Sequence, residues 1–176
     1  VIYDDGSTLM SNEIVFPSPI DLKVLNVSYM KAMRQVAQDY PDDADVLTLY
    51  AASIMNTVPW DYWDAQGDPS PNVPAAKQAL EKAMQINPNH PGAHHYYIHM
   101  VELPKPDLAV PSAEKLSTLM PGAGHMVHMP GHIYSKAKRY QDAVWQQQAS
   151  ARVDHKHMMK WFLLPDQIHN YAHNNE

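Results

Sequence analysis

The chain has 176 residues, 45% of them hydrophobic, which is enough for one domain with a buried core or for a short solenoid of repeats. Its net charge of −6, with only 13 Lys and Arg, argues against a nucleic-acid surface, because phosphate binding needs clustered cations. The absence of cysteine excludes disulfides, thiolate metal sites and cysteine nucleophiles.

Residues 1–17 mix Gly, Ser, Asp and Pro, and this composition predicts an extended lead-in. Residues 18–176 form the predicted domain. Its first helix begins near Ser18, a capping residue followed by proline, and is closed by Pro41. A second helix is predicted over about 43–55, where apolar residues recur at helical spacing.

A loop over 59–74 then interrupts the helical pattern and carries Trp60 and Trp63. Those two indoles either cover a concave surface as a lid or fill the gap between two hairpins, and packing is the favoured interpretation. The later predicted helices share apolar periodicity between Pro and Gly breaks, and they run over about 73–86, 90–102, 108–119, 123–136 and 140–153. Because no segment alternates β-branched residues, we expect an all-α fold.

Helices of this length joined by short Pro and Gly turns predict antiparallel hairpins, and the hairpins recur. Pro88 and Pro121, which end comparable helices, lie 33 residues apart, close to the tetratricopeptide period of about 34 residues. The last full unit also resembles that repeat in its small and aromatic positions, Gly131, Tyr134, Tyr140, Ala143 and Ala149. The chain is therefore predicted to be a tetratricopeptide-like (TPR-like) α-solenoid.

A second resemblance comes from three histidine-containing segments. Residues 91–99, residues 122–134 with their His-Met-Pro-Gly-His-Ile-Tyr motif, and residues 173–176 resemble a group of bacterial TPR proteins whose function is poorly defined. The likeness covers about residues 40–176. It implies the fold and carries over no reaction.

The same segments arrange histidines and glutamates on single helix faces, because residues three, four and seven apart lie on one side of a helix. We call these sets the histidine stripes. They are His95, His99 and Glu102; His125, His128 and His132; and His169, His173 and Glu176. His90, His94, His155 and His157 fall outside the stripes and are predicted to be structural or solvated.

The first helices of stacked repeats line the concave face of a solenoid, about 8–10 Å apart, so two stripes can share an ion. The eight candidate metal ligands are His95, His99, Glu102, His125, His128, His132, His169 and His173, with Glu102 as ligand or possible general base. Imidazole and carboxylate suit a divalent transition metal, Cu or Zn. Copper would be favoured if Met100, Met126 or Met129 pointed inward, but a residue next to a histidine is rotated about 100° from it.

Two functions follow from this pattern. The first is a metal-binding helical-repeat protein or metalloenzyme that holds a small molecule in the concave groove. The alternative is a non-catalytic TPR scaffold that binds a peptide or assembles with itself through open repeat ends. The sequence does not decide whether the protein is an enzyme.

Location is equally open. No apolar run reaches the roughly 18 residues of a membrane span, and residues 1–6 lack the regions of a signal peptide. We therefore expect a soluble protein, cytoplasmic, periplasmic or secreted. Because the sequence begins without Met and stops at Glu176 in a predicted helix, we also expect a processed or truncated piece.

Overall fold

The computed structural model describes residues 22–174, apart from the side chain of His169. The predicted lead-in over 1–17, the helix start near Ser18 and Glu176 lie outside these residues. The described part is built from helices, with bounds α1 Leu22–Asp39, α2 Ala44–Met55, α3 Val73–Ile86, α4 Pro91–Val101, α5 Val110–Leu119, α6 Gly124–Lys136, α7 Tyr140–Trp161 and α8 His169–His173. Short 3₁₀ turns, Pro106–Ala109 and Pro165–Gln167, precede α5 and α8.

Local signals explain where these helices begin. The Asp43 side chain accepts a hydrogen bond from the Val46 backbone N–H at 3.0 Å and so caps α2. At the start of α4, the Nδ1 atom of His90 accepts one from the Ala93 N–H, also at 3.0 Å. Pro91 follows in the first turn, where its missing N–H costs nothing. His90 is therefore a capping residue.

Packing follows a simple rule along the chain: each helix contacts its neighbour in sequence, and alternate helices also touch. The second kind of contact joins α2 to α4, α4 to α6 and α6 to α8. These four helices therefore form one row, as the first helices of stacked hairpins do in a solenoid. The core between the layers is apolar and includes the fully buried Ile54, Leu80, Ile98, Leu116 and Ile133.

Two predicted boundaries are wrong. The helix expected to end at Val153 continues to Trp161, because residues 154–161 contain no Pro or Gly and keep Asp154 and Met158 buried on the same face. The helix expected from Leu108 begins only at Val110, after the 3₁₀ turn. No helix among residues 22–174 is both long enough and apolar enough to span a membrane.

Candidate metal centre

The contact between α4 and α6 brings their histidines together. His95 and His99 from α4 meet His125 from α6, and we call these three residues the first triad. The Nε2 atom of His95 lies 2.9 Å from the Nε2 atom of His125 and 3.1 Å from that of His99. One ligand atom from each ring lies within 4.8 Å of the others.

A second triad forms one turn further along α6, where α8 joins it. It consists of His128, His132 and His173, again with ligand atoms within 4.8 Å of one another. The Nε2 atoms of His128 and His132 are 2.7 Å apart. The rings of His125 and His128, one from each triad, stack with their centroids 6.2 Å apart, so the two triads are neighbours.

The triads regroup the predicted stripes. Of the eight candidate ligands, six lie in the triads: His95, His99, His125, His128, His132 and His173. His125 leaves its own stripe to join the α4 pair, because α4 and α6 meet near its position. The side chain of His169 is not described, and metal binding by any of these residues remains a prediction.

Glu102, the seventh candidate, lies outside both triads. It is buried, with Oε1 3.7 Å from the Nδ1 atom of His99 and Oε2 3.9 Å from the Nδ1 atom of His132. The carboxylate thus faces the Nδ1 atoms of His99 and His132, while the Nε2 atoms of these rings face the other histidines of their triads. Carboxylates behind ligating histidines orient the rings and raise their basicity.

A set of polar residues holds His128 from behind. Its Nδ1 atom lies 2.5 Å from the Gln147 Oε1 atom and 2.6 Å from the Asn174 Oδ1 atom. The Asn174 amide is itself oriented, since its Nδ2 atom donates to the Ser150 hydroxyl at 2.7 Å. Because Nδ1 faces two oxygens, it carries the proton, and Nε2 presents a lone pair to the triad.

Sequence reasoning missed this supporting set. Its members are polar residues on α7, on α8 and directly after α8 that contact the histidines or one another: Gln147, Ser150, Asp154, Asn170 and Asn174. A signal was present, because residues 147, 150 and 154 repeat the spacing of the α6 histidines. Gly131 makes room for one of them, since a Cβ there would overlap the Gln147 amide.

Hydrogen bonding alone does not satisfy the first triad. An imidazole nitrogen has either one hydrogen or one lone pair, yet His95 Nε2 faces two other Nε2 atoms. The Nδ1 atom of His99 is buried without a hydrogen-bond partner. Nitrogens sharing a tetrahedral zinc at 2.0–2.1 Å are about 3.3 Å apart, close to the distances of 2.9 and 3.1 Å in the first triad.

Burial also sets the protonation of the triads. It lowers the pKa of His95 to about 3, helped by the positive charge that His99 and His125 can carry. It lowers the pKa of His132 to about 4, and those of His125 and His128 fall for the same reason. Burial alone would raise the pKa of Glu102, but His99 and His132 hold it below its usual value. The imidazoles of His95, His125, His128 and His132 are therefore neutral at pH 7, as ligands must be.

Histidines outside the triads have other partners. His94 is buried, with Nδ1 3.0 Å from the Ser112 hydroxyl and Nε2 2.9 Å from the Pro88 carbonyl, and His90 also contacts Asp45 at 2.8 Å. His155 and His157 lie on α7 beside Tyr171 and Trp161 respectively. All four lie away from the triads, which agrees with the structural or solvated roles expected for them.

The three methionines next to the histidine stripes in sequence pack into or against the core. Met100 and Met129 are fully buried, and Met126 is partly buried against the core. Their thioethers fill the interior, as the rotation from the histidine stripes predicts.

The two tryptophans of the loop over 59–74 have different environments. The Trp63 Nε1–H donates to the Met100 carbonyl at 2.6 Å, so this ring is packed against α4. Trp60 is exposed and meets the His99 ring edge-on, with centroids 5.5 Å apart. The packing interpretation holds for Trp63, whereas Trp60 lies at the first triad.

Comparison with known proteins finds solved structures of similar fold. No protein-family model matches the sequence, and no curated protein does either. Two solved structures are similar, "MamA 41-end from Desulfovibrio magneticus RS-1" and "MamA RS-1 ArsTM double mutant", each with 15% identity and a TM-score of 0.58. In both cases the similarity covers 73% of this chain and 66% of the MamA chain. The likeness confirms an all-α, TPR-like helical fold, and it gives no support for the histidine motif or the narrower bacterial group.

Proposed function

We propose that this protein is a TPR-like helical-repeat protein that binds divalent transition-metal ions through the two histidine triads. The observation that carries the proposal is the convergence of three Nε2 atoms at His95, which hydrogen bonds cannot satisfy together. A metal ion removes this conflict, because each nitrogen then gives its lone pair to the ion. The second triad adds a similar set of three imidazoles.

The donor set restricts the ion. Three neutral imidazoles suit Zn(II) or Cu(II), and a four-coordinate ion keeps one position for water or another ligand. Glu102 faces Nδ1 atoms, so its proposed role is to orient His99 and His132. The buried methionines supply no argument for copper.

Elemental analysis of chelator-free purified protein tests the proposal. We expect up to two ions per chain and a higher melting temperature on addition of Zn(II) or Cu(II). His128→Ala is expected to lose the ion of the second triad, while His155→Ala, on a histidine outside both triads, keeps both ions. Absence of stoichiometric metal, together with no thermal shift, would overturn it.

A second candidate function is a scaffold for protein interaction or self-assembly, and the comparisons favour this class more directly. Its support is the TPR-like fold shared with the MamA structures, because helical repeats commonly bind partners on their concave face. Exposed aromatic residues on and after α7, including Trp145, Trp161 and Phe162, add apolar surface to the outer side.

Size measurements on the wild type and His128→Ala separate the two candidates. Loss of metal with unchanged assembly supports the metal function. Loss of assembly in a protein that never held metal supports the scaffold.

A further inference from the structure

A cavity of about 670 Å³ lies between the tryptophan loop and the end of α4. We call it the indole cavity, since Trp60 and Trp63 line it together with Tyr62, His99 and Lys105. Its volume is within the range of about 300–1,000 Å³ typical of small-molecule sites. His99 belongs both to this wall and to the first triad, so the cavity adjoins the candidate metal centre.

The wall of the indole cavity is held by its own hydrogen bonds. The Asp64 carboxylate accepts from the backbone N–H groups of Gln66 at 2.9 Å and Asp68 at 2.8 Å. Across the loop, the Ser70 N–H donates to the Tyr62 carbonyl at 2.9 Å. The loop therefore presents its aromatic side chains in a formed arrangement, which lowers the entropy lost when a ligand binds.

Trp60 lines this cavity in an unfavourable backbone conformation. Its φ of 68° is unfavourable for a bulky side chain, and 63% of its surface remains exposed, so core packing does not explain the conformation. Backbone strain of this kind concentrates at ligand sites. The indole here stands edge-on to His99 and lines the cavity.

The wall of the indole cavity carries one acidic and one basic side chain, Asp64 and Lys105. Asp64 already binds two backbone N–H groups, and the Trp63 N–H is bound to the Met100 carbonyl. Among residues 22–174, Lys105 forms no ion pair, so its ammonium group is left for a ligand. A metal ion at the neighbouring triad would add positive charge from the other side.

We propose that the indole cavity binds a small aromatic oxyanion, a phenolate or catecholate. This inference rests on the proposed metal function for the second source of positive charge. The ligand ring packs against the indoles, as aromatic pairs do, and its oxygen is attracted by Lys105 and by the ion at the first triad.

Binding of 4-nitrocatechol to the full chain, before and after loading with Zn(II), tests the assignment through its visible absorbance and the tryptophan fluorescence. We expect saturable binding that zinc strengthens. Trp60→Ala should weaken binding at least tenfold and leave the zinc content unchanged. Trp145→Ala, which removes an indole that is 62% exposed on α7, is the matched control and should bind as the wild type does.

The outcomes separate this inference from the metal function. If zinc is retained but 4-nitrocatechol does not bind, or binds Trp60→Ala and wild type equally, the cavity assignment is overturned and the metal function stands. If no zinc is retained and binding still depends on Trp60, the metal function fails and the cavity assignment stands. Loss of both overturns both.

Discussion

Glu102 links the two triads, because each of its carboxylate oxygens faces an imidazole of a different triad. Glu102→Gln keeps the shape of the side chain and removes its charge. We expect metal affinity to fall about 10- to 100-fold, the usual cost of losing a carboxylate behind a ligating histidine. Competition with a coloured zinc chelator measures the affinity.

The control for this change is Glu114→Gln. Glu114 pairs with Arg139 on the surface and contacts none of the triad histidines. Removing the Glu114 charge should therefore leave the zinc affinity unchanged. Equal affinities of Glu102→Gln and wild type would show that Glu102 does not support the triads.

Gly124 offers a test of how tightly the polar support is packed. A Cβ at this position would overlap the carboxylate of Asp154, which is buried and accepts a hydrogen bond from the Asn170 amide at 2.6 Å. That carboxylate cannot move without breaking this bond, so Gly124→Ala should lower the free energy of unfolding by about 1–3 kcal/mol. Urea unfolding at pH 7 measures the loss.

Gly122→Ala is the matched control two residues earlier, because a Cβ there meets no atom within 4 Å. It should be neutral or raise the free energy of unfolding by up to about 1 kcal/mol. If Gly124→Ala were as stable as this control, the contact between Gly124 and Asp154 would not constrain the fold.

At this scale the sequence predicted which side chains share a helix face and not which rings meet. The spacing along α6 predicted that His125 shares a face with His128 and His132. It does not indicate how α4 and α6 are positioned along each other, and this position brings His125 next to His95. Gln147 and Asn174 were missed because amides at helical spacing are common on solvated faces. Only the tertiary contact gives them a role.

Among the elements, α8 is the one whose position depends most on the site. It is five residues long, and it reaches the second triad through His173 and the support of His128 through Asn174. Isolated helices of this length are not stable, so its order comes from tertiary contacts, these among them. Metal binding should therefore stabilise it further.

We expect zinc to slow hydrogen exchange of the α8 amides at least tenfold, because an ion bound only by the docked state penalises local opening. Amides of α1, which packs against α2 rather than against the helices of the triads, serve as the internal control. In His173→Ala the slowing should disappear. The same exchange rates with and without zinc would show that α8 carries no ligand.

Helix existence was predictable at the element scale because Pro and Gly punctuate the chain at nearly every boundary. The exception is α7, where the expected repeat length hid eight further residues, from Asp154 to Trp161. Those residues extend the helix toward α8 and supply Asp154, which bonds Asn170. A repeat length inferred from the other units cannot indicate that one helix is longer than the rest.

For the whole molecule, the alternation of contacts makes α2, α4, α6 and α8 one row, and the 33-residue interval between Pro88 and Pro121 predicted that arrangement. The row concentrates five of the six triad histidines on two helices, α4 and α6. Because these imidazoles are neutral and half-buried, they should lower the free energy of unfolding when the pH is lowered.

This effect gives a prediction for the metal-free protein. The pKa values of His95 and His132 are about 3 and about 4 in the folded chain, below the value of about 6.5 in the unfolded chain. Between pH 6.5 and 4 the unfolded chain therefore binds protons that the folded chain excludes. Stability is highest above pH 6.5 and falls with pH, by up to about 1 kcal/mol per pH unit for each of the two residues.

Urea unfolding in the presence of a chelator, at pH 7 and pH 5, measures this loss. The double variant His95→Gln/His132→Gln removes both titrating groups and should show a smaller difference between the two pH values than the wild type does. His155→Gln, on an α7 histidine outside the triads, should behave as the wild type. Equal pH dependence in all three proteins would mean that the triads are as accessible to protons in the folded chain as in the unfolded one.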